Sequence, residues 1–145
     1  MAARIPRKAL IFALLAFISV PSTAFGDGEI LELRCVSCGF RQRFPQGASP
    51  EDIAANVQTI IVVCERSREI RSIRIPLDPD EPVTGEPLLA RQYGTGRSEL
   101  LGMRLPRFLV PGNTCPLFPV TAYLERNVCP VDGRPGIDFM VVGYF

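Results

Sequence analysis

The chain contains no histidine and no tryptophan, and its only lysine is Lys8. Without imidazole the commonest general base and the commonest metal ligand are missing. Ser-His-Asp and Cys-His mechanisms are excluded, as is Cys-x-x-Cys-His haem attachment. Any metal site must draw on Cys, Asp, Glu or backbone oxygens. No catalytic residues are assigned, and the chain is not expected to be an enzyme.

A long apolar run is missing too. Ala9 to Val20 is uncharged and apolar but short of the ~20 residues a membrane-spanning helix needs. It follows Arg4, Arg7 and Lys8, is broken by Pro21, and leads to Ala24-Phe25-Gly26, small residues at −3 and −1 of a cut before Asp27. That layout predicts a helical secretory signal peptide over 1–26 and an exported product, periplasmic or extracellular. Membrane attachment is expected only if the segment stays uncleaved.

Removal of the signal changes the charge. Three of the 16 positive residues and none of the 15 acids precede Asp27, so a whole-chain charge of +1 becomes −2. No basic footprint for nucleic acid remains. The partner expected is a protein of unknown identity.

What is present reads as mainly β with one short helix. Ile30, Leu31 and Leu33 lead as a strand into Cys35, and Phe40 to Phe44 return from it, so Cys35-Val36-Ser37-Cys38 forms the tip of a hairpin. Ser49-Pro50-Glu51-Asp52 starts a helix that runs to about Val57, with Ile53, Ala54 and Val57 facing inward. Thr59 to Cys64 is β-branched and continuous, a buried strand, and Ile70 to Ile75 is its partner. The stretch 76–98 carries Pro76, Pro79, Pro82 and Pro87 among four acids and reads as an acidic linker. Beyond it lie strands at 100–105, at 107–110 and from Ile137 onward. The N-terminal lobe is therefore placed at 27–75 and the C-terminal lobe at 99–145.

Phe40, Phe44, Phe108, Phe139 and Phe145 are core candidates. Arg66, Arg68, Arg71 and Arg74 read as a solvated face. The acids at Asp78, Asp80, Glu81 and Glu86 follow no EF-hand loop. Gly94-Thr95-Gly96 lacks the rest of a dinucleotide fingerprint.

Five cysteines stand at 35, 38, 64, 115 and 129. Two thiolates three apart on a tight turn can share one tetrahedral ion, and the following Gly39 permits the turn. Cys35-Val36-Ser37-Cys38-Gly39-Phe40 and Val128-Cys129-Pro130-Val131-Asp132-Gly133 resemble the two knuckles of rubredoxin and zinc-ribbon proteins. The stretches after Cys64 and Cys115 resemble two more, worn ones. The resemblance implies a degenerate double zinc ribbon with small hairpin lobes. It covers only the cysteine neighbourhoods, and Ser67, Phe118 and Asp132 stand where three ligands are expected.

Three readings follow. In the first, disulfides staple the lobes: Cys115 with Cys129, and Cys64 with Cys35 or Cys38, with no cofactor. In the second, one metal site survives, zinc being the possible ion: Cys35 and Cys38 with Cys64 and a fourth group, or with Cys129 and Asp132. In the third, Cys35-x-x-Cys38 is a thiol–disulfide redox pair. The expected function is an exported, Cys-stapled accessory or interaction module; metal binding or redox activity is the alternative.

Overall fold

The computed structural model describes residues 28–85, 90–93 and 99–145. The signal segment expected over 1–26 lies outside them. Among the described residues, no helix is long and apolar enough to cross a membrane. The described residues are mainly β, 46% strand and 10% helix.

Two curled sheets carry the structure. The first has three antiparallel strands in the order β10-β1-β2: β1 (Glu29–Cys35), β2 (Arg41–Gln46) and β10 (Ile137–Tyr144). The second has the order β4-β3-β9-β8-β5, from β3 (Val57–Cys64), β4 (Ile70–Pro76), β5 (Arg91–Tyr93), β8 (Arg107–Leu109) and β9 (Leu117–Pro119). A small hairpin pairs β6 (Glu99–Leu100) with β7 (Met103–Arg104). Strands from 27–75 and from 99–145 interleave: β10 lies on β1, and β9 lies on β3. Within 76–98, Arg91–Tyr93 forms β5 and pairs with β8.

Each main element has a local cause. The first hairpin forms as its alternation predicts, with β1 and β2 in register from Glu29–Gln46 to Arg34–Arg41. Leu31, Leu33 and Phe44 fill its inner face. From Ile60 to Cys64 β3 is apolar without alternation because it is buried on both sides. Ile61 and Val63 join the core between the sheets, while Val62 and Cys64 point into a second core with Ile73, Ala90, Phe108 and Leu117.

Helix α1 (Pro50–Ala54) starts where expected. Ser49 accepts from the Asp52 amide, and the Asp52 carboxylate accepts from the Ser49 amide. It is shorter than the predicted span and buries no residue; Val57 is buried, but on β3. Asn56, at φ 57°, ends the turn and bonds Asp78 through its side chain. A second helix, α2 (Thr121–Glu125), carries the buried Tyr123. No element is assigned there from the sequence; burial of Ala122 and Tyr123 holds the helix in place. Of the phenylalanines, Phe44 and Phe108 are buried and Phe40 partly so, whereas Phe139 and Phe145 are exposed. Phe118, on β9, takes a core place.

On the outer face of the first sheet, Glu32 is 3% exposed under three arginines. Arg34 and Arg41 approach its Oε1 at 2.7 and 2.8 Å, and Arg43 its Oε2 at 3.1 Å. Hydrogen bonds from Arg41 and Arg34 hold its carboxyl down to about 2, against the opposing effect of burial, with Arg43 adding to the fall. A carboxyl depressed in the folded state stabilises the fold above its unfolded value and loses that contribution as it protonates. Stability is therefore expected to fall as pH drops from 4.5 towards 2. Thermal melts across this range should show a steep loss for the wild type. Glu32→Gln should melt lower at neutral pH and depend much less on acid; a variant with the wild-type acid profile would contradict this.

Candidate metal centre

The first turn leaves β1 at Cys35. The Gly39 amide donates to the Cys35 carbonyl at 2.9 Å, and the Cys35 amide to the Phe40 carbonyl at 2.8 Å. The second turn, before β10, repeats this: Gly133 donates to the Cys129 carbonyl at 2.8 Å and Cys129 to the Arg134 carbonyl at 2.7 Å. Gly39 and Gly133 share φ 74°, a left-handed conformation that costs glycine nothing and other residues about 1 kcal/mol or more. The two knuckles thus have one backbone design.

Antiparallel pairing of β1 with β10 sets Cys35 opposite Ile137, so the knuckle leaving β1 meets the knuckle entering β10. The Val36 amide donates to the Gly136 carbonyl at 2.9 Å and ties them together. Cys35, Cys38, Cys129 and Asp132 converge there, with one donor atom from each within 4.8 Å of all the others. Cys38 and Cys129 sulfurs are 3.8 Å apart, across 91 residues of sequence. Cys35 Sγ lies 4.0 Å from Asp132 Oδ1 and 3.0 Å from Ser37 Oγ. Cys35 and Cys129 are buried; Cys38 and Asp132 are exposed.

The donor set fits a tetrahedral ion. Zinc–sulfur bonds of about 2.3 Å imply sulfurs ~3.8 Å apart on a tetrahedron edge, the separation of Cys38 and Cys129. Electrostatics point the same way. Burial pushes the Cys35 thiol up, but hydrogen bonds from Cys129, Ser37 and Cys38 outweigh it and bring it down to about 7. Burial, reinforced by the Cys35 hydrogen bond, pushes Cys129 up to about 12. A hydrogen bond from Ser37, then one from the Arg134 amide, holds Asp132 below the usual carboxylate range. One thiolate forms readily beside an ionised carboxylate, and the next is resisted by the charge already there. A divalent cation removes that resistance.

Of the two metal sets open to the sequence, the structure assembles Cys35 and Cys38 with Cys129 and Asp132. Cys64 lies elsewhere, in a disulfide with Cys115. Cys129 is consequently not paired with Cys115, and Cys35, Cys38 and Cys129 are free thiols. The Cys64 stretch keeps the knuckle backbone: Arg68 donates to the Cys64 carbonyl at 2.9 Å and Cys64 to the Glu69 carbonyl at 2.8 Å. Arg68 stands at φ 64° in the glycine place, and the Ser67 amide donates to Cys64 Sγ at 3.2 Å. After Cys115 no such turn forms, because Leu117 and Phe118 run directly into β9 as core residues.

Fold and site together define a two-sheet β protein with three cysteines and one aspartate gathered at paired knuckles. Compared with protein-family models, with curated proteins and with solved structures, the chain matches none.

Proposed function

We propose that the chain is an exported, non-catalytic accessory module for a protein partner, cross-linked by one structural zinc ion and one disulfide. The convergence of Cys35, Cys38, Cys129 and Asp132 on two knuckles of identical backbone geometry carries this reading. Four protein donors close a tetrahedral shell and leave no position for a reacting water, which distinguishes structural from catalytic zinc sites. The knuckle motifs, similar to those of zinc ribbons, agree with it. Export rests on the three-part layout before Asp27, and the Cys64–Cys115 disulfide suits an oxidising compartment.

A thiol–disulfide role for Cys35 and Cys38 is less well supported. Redox pairs gain acidity from a helix N-terminus, whereas Cys35 closes a strand, Cys38 lies on the hairpin turn, and the Cys35 thiol is lowered by Cys129, Ser37 and Cys38, two of them in the candidate metal cluster. One observation favours a metal-free variant of the stapled module: Cys38 and Cys129 are close enough for oxidation to join them.

Native and denatured intact mass, read with thiol alkylation, separates these readings. The expected result is one zinc per chain and one disulfide, with the three remaining thiols shielded from alkylation until a chelator is added. Two disulfides, one reactive thiol and no metal would replace the zinc site with a Cys38–Cys129 bond and overturn the proposal.

A further inference from the structure

Strand β10 combines a sheet edge with a run of exposed apolar side chains. Among the described residues it pairs only with β1, so its far edge is open. The inner edge, β2, is shielded differently: Gly47 bridges to Thr59 of β3, and Ser72 of β4 bonds the Pro45 carbonyl. Six of the twelve exposed large apolar side chains in the described residues fall within 139–145, each between 38% and 66% exposed. Natural sheets blunt open edges with Lys, Pro, inward charges or β-bulges. β10 has no Lys or Pro and its only charge is Asp138; its one irregularity lies past Val141 and leaves Ile137–Val141 regular.

We propose that β10 is a dimerisation strand. Two copies of the chain pair antiparallel along their open edges about a two-fold axis at Phe139, joining two three-stranded sheets into one of six.

The register follows from the strand itself. Its irregularity lies beyond Val141, between the partners of Ile30 and Leu31, so Ile137–Val141 is the regular stretch and Phe139 is its centre. Symmetric pairing about Phe139 sets Ile137 against the partner's Val141 and Phe139 against its copy on the inner face. On the outer face it sets Met140 against the partner's Asp138. This arrangement is also electrostatically complementary. The Arg34 guanidinium already leans over β10, with Nη2 2.9 Å from Met140 Sδ. It therefore stands beside the place the partner's Asp138 would take. Within its own chain Asp138 stands opposite Arg34 in the β1–β10 register, yet among the described residues it makes no ion pair and accepts from the Phe139 amide.

The six side chains together expose on the order of 600 Å², judged from the size of aromatic and aliphatic side chains. A standard interface needs about 800 Å² per partner, so pairing through Ile137–Val141 makes a dimer at the weak end of the range. A two-fold edge pairing is also closed, so it stops at the dimer instead of growing.

Sedimentation equilibrium of the full chain tests the idea. The wild type is expected to dimerise at or below about 100 µM. Asp138→Arg, which faces Arg34 with a like charge, should weaken the dimer at least about tenfold. Val141→Lys, which adds an edge lysine, should do the same. Both positions are exposed, and circular dichroism checks that each variant folds. A wild type that remains monomeric at 100 µM, or a dimer equally strong in both variants, would overturn the proposal.

Discussion

Replacing Cys129 with Ser is expected to lower zinc affinity at least about a thousandfold, since structural zinc in small domains is worth about 10–16 kcal/mol and depends on every thiolate. Cys129 has the largest effect for geometric reasons. It is the buried thiol of the second knuckle, 3.8 Å from Cys38, and the one thiol that this knuckle brings to the cluster. Its loss leaves two sulfurs on one turn and a single exposed carboxylate. Asp132→Ala should cost less, because three sulfurs remain and water can fill the fourth position.

The same chemistry fixes the direction of the pH effect. Zinc must displace protons from thiols; hydrogen bonds outweigh burial to lower the Cys35 thiol, and burial raises that of Cys129. Affinity should therefore fall as pH drops, and binding at neutral pH should release protons from this pair. Competition with a chromophoric chelator, repeated across pH, measures both. A Cys129→Ser protein that binds zinc as tightly as the wild type would remove this residue from the site.

Opening the second staple has the next largest effect. Cys64 and Cys115 close a loop of 51 residues, for which the chain-entropy relation gives about 4 kcal/mol of stabilisation through the unfolded state. The double replacement Cys64→Ala, Cys115→Ala should lower the urea unfolding free energy by about that amount. Zinc stoichiometry should be unchanged, because neither sulfur belongs to the metal cluster. The bond links the end of β3 to the segment entering β9, strands that already pair through Cys64 and Leu117. If that pairing persisted in the unfolded chain, the loss would shrink below about 1 kcal/mol, which urea melts would reveal.

What can be read from the sequence is what neighbouring residues decide among themselves. The hairpin at Cys35, the buried run before Cys64, its partner over Ile70–Pro76 and the capping box at Ser49 all follow local rules. Alternation, β-branching and turn chemistry act over a few residues, and tertiary structure did not override them there. The knuckle motifs also belong to this class: Gly39 and Gly133 mark left-handed positions that a four-residue window identifies.

Other features depended on contacts that no window contains. Thr121–Glu125 is helical because Tyr123 packs into a core assembled from β1, β2 and β3. Glu32 resembles any exposed strand acid until the pairing of β1 with β2 sets Arg41 and Arg43 over it. The exposure of Phe139, in a strand that reads as core, follows from the place of β10 at the sheet edge.

The cysteines divide along the same line. The sequence by itself marked the sulfur-bearing turns at Cys35, Cys64 and Cys129, though not the absence of one after Cys115, and by omitting histidine it limited any metal site to Cys, Asp, Glu or backbone oxygens. Only the tertiary structure decided the partners. Strand order brings β10 beside β1 and β9 beside β3, so Cys129 meets Cys35 and Cys38, and Cys115 meets Cys64. Strand order is a property of the whole packed chain, set by which apolar faces can be buried together, and spacing between cysteines carries no record of it.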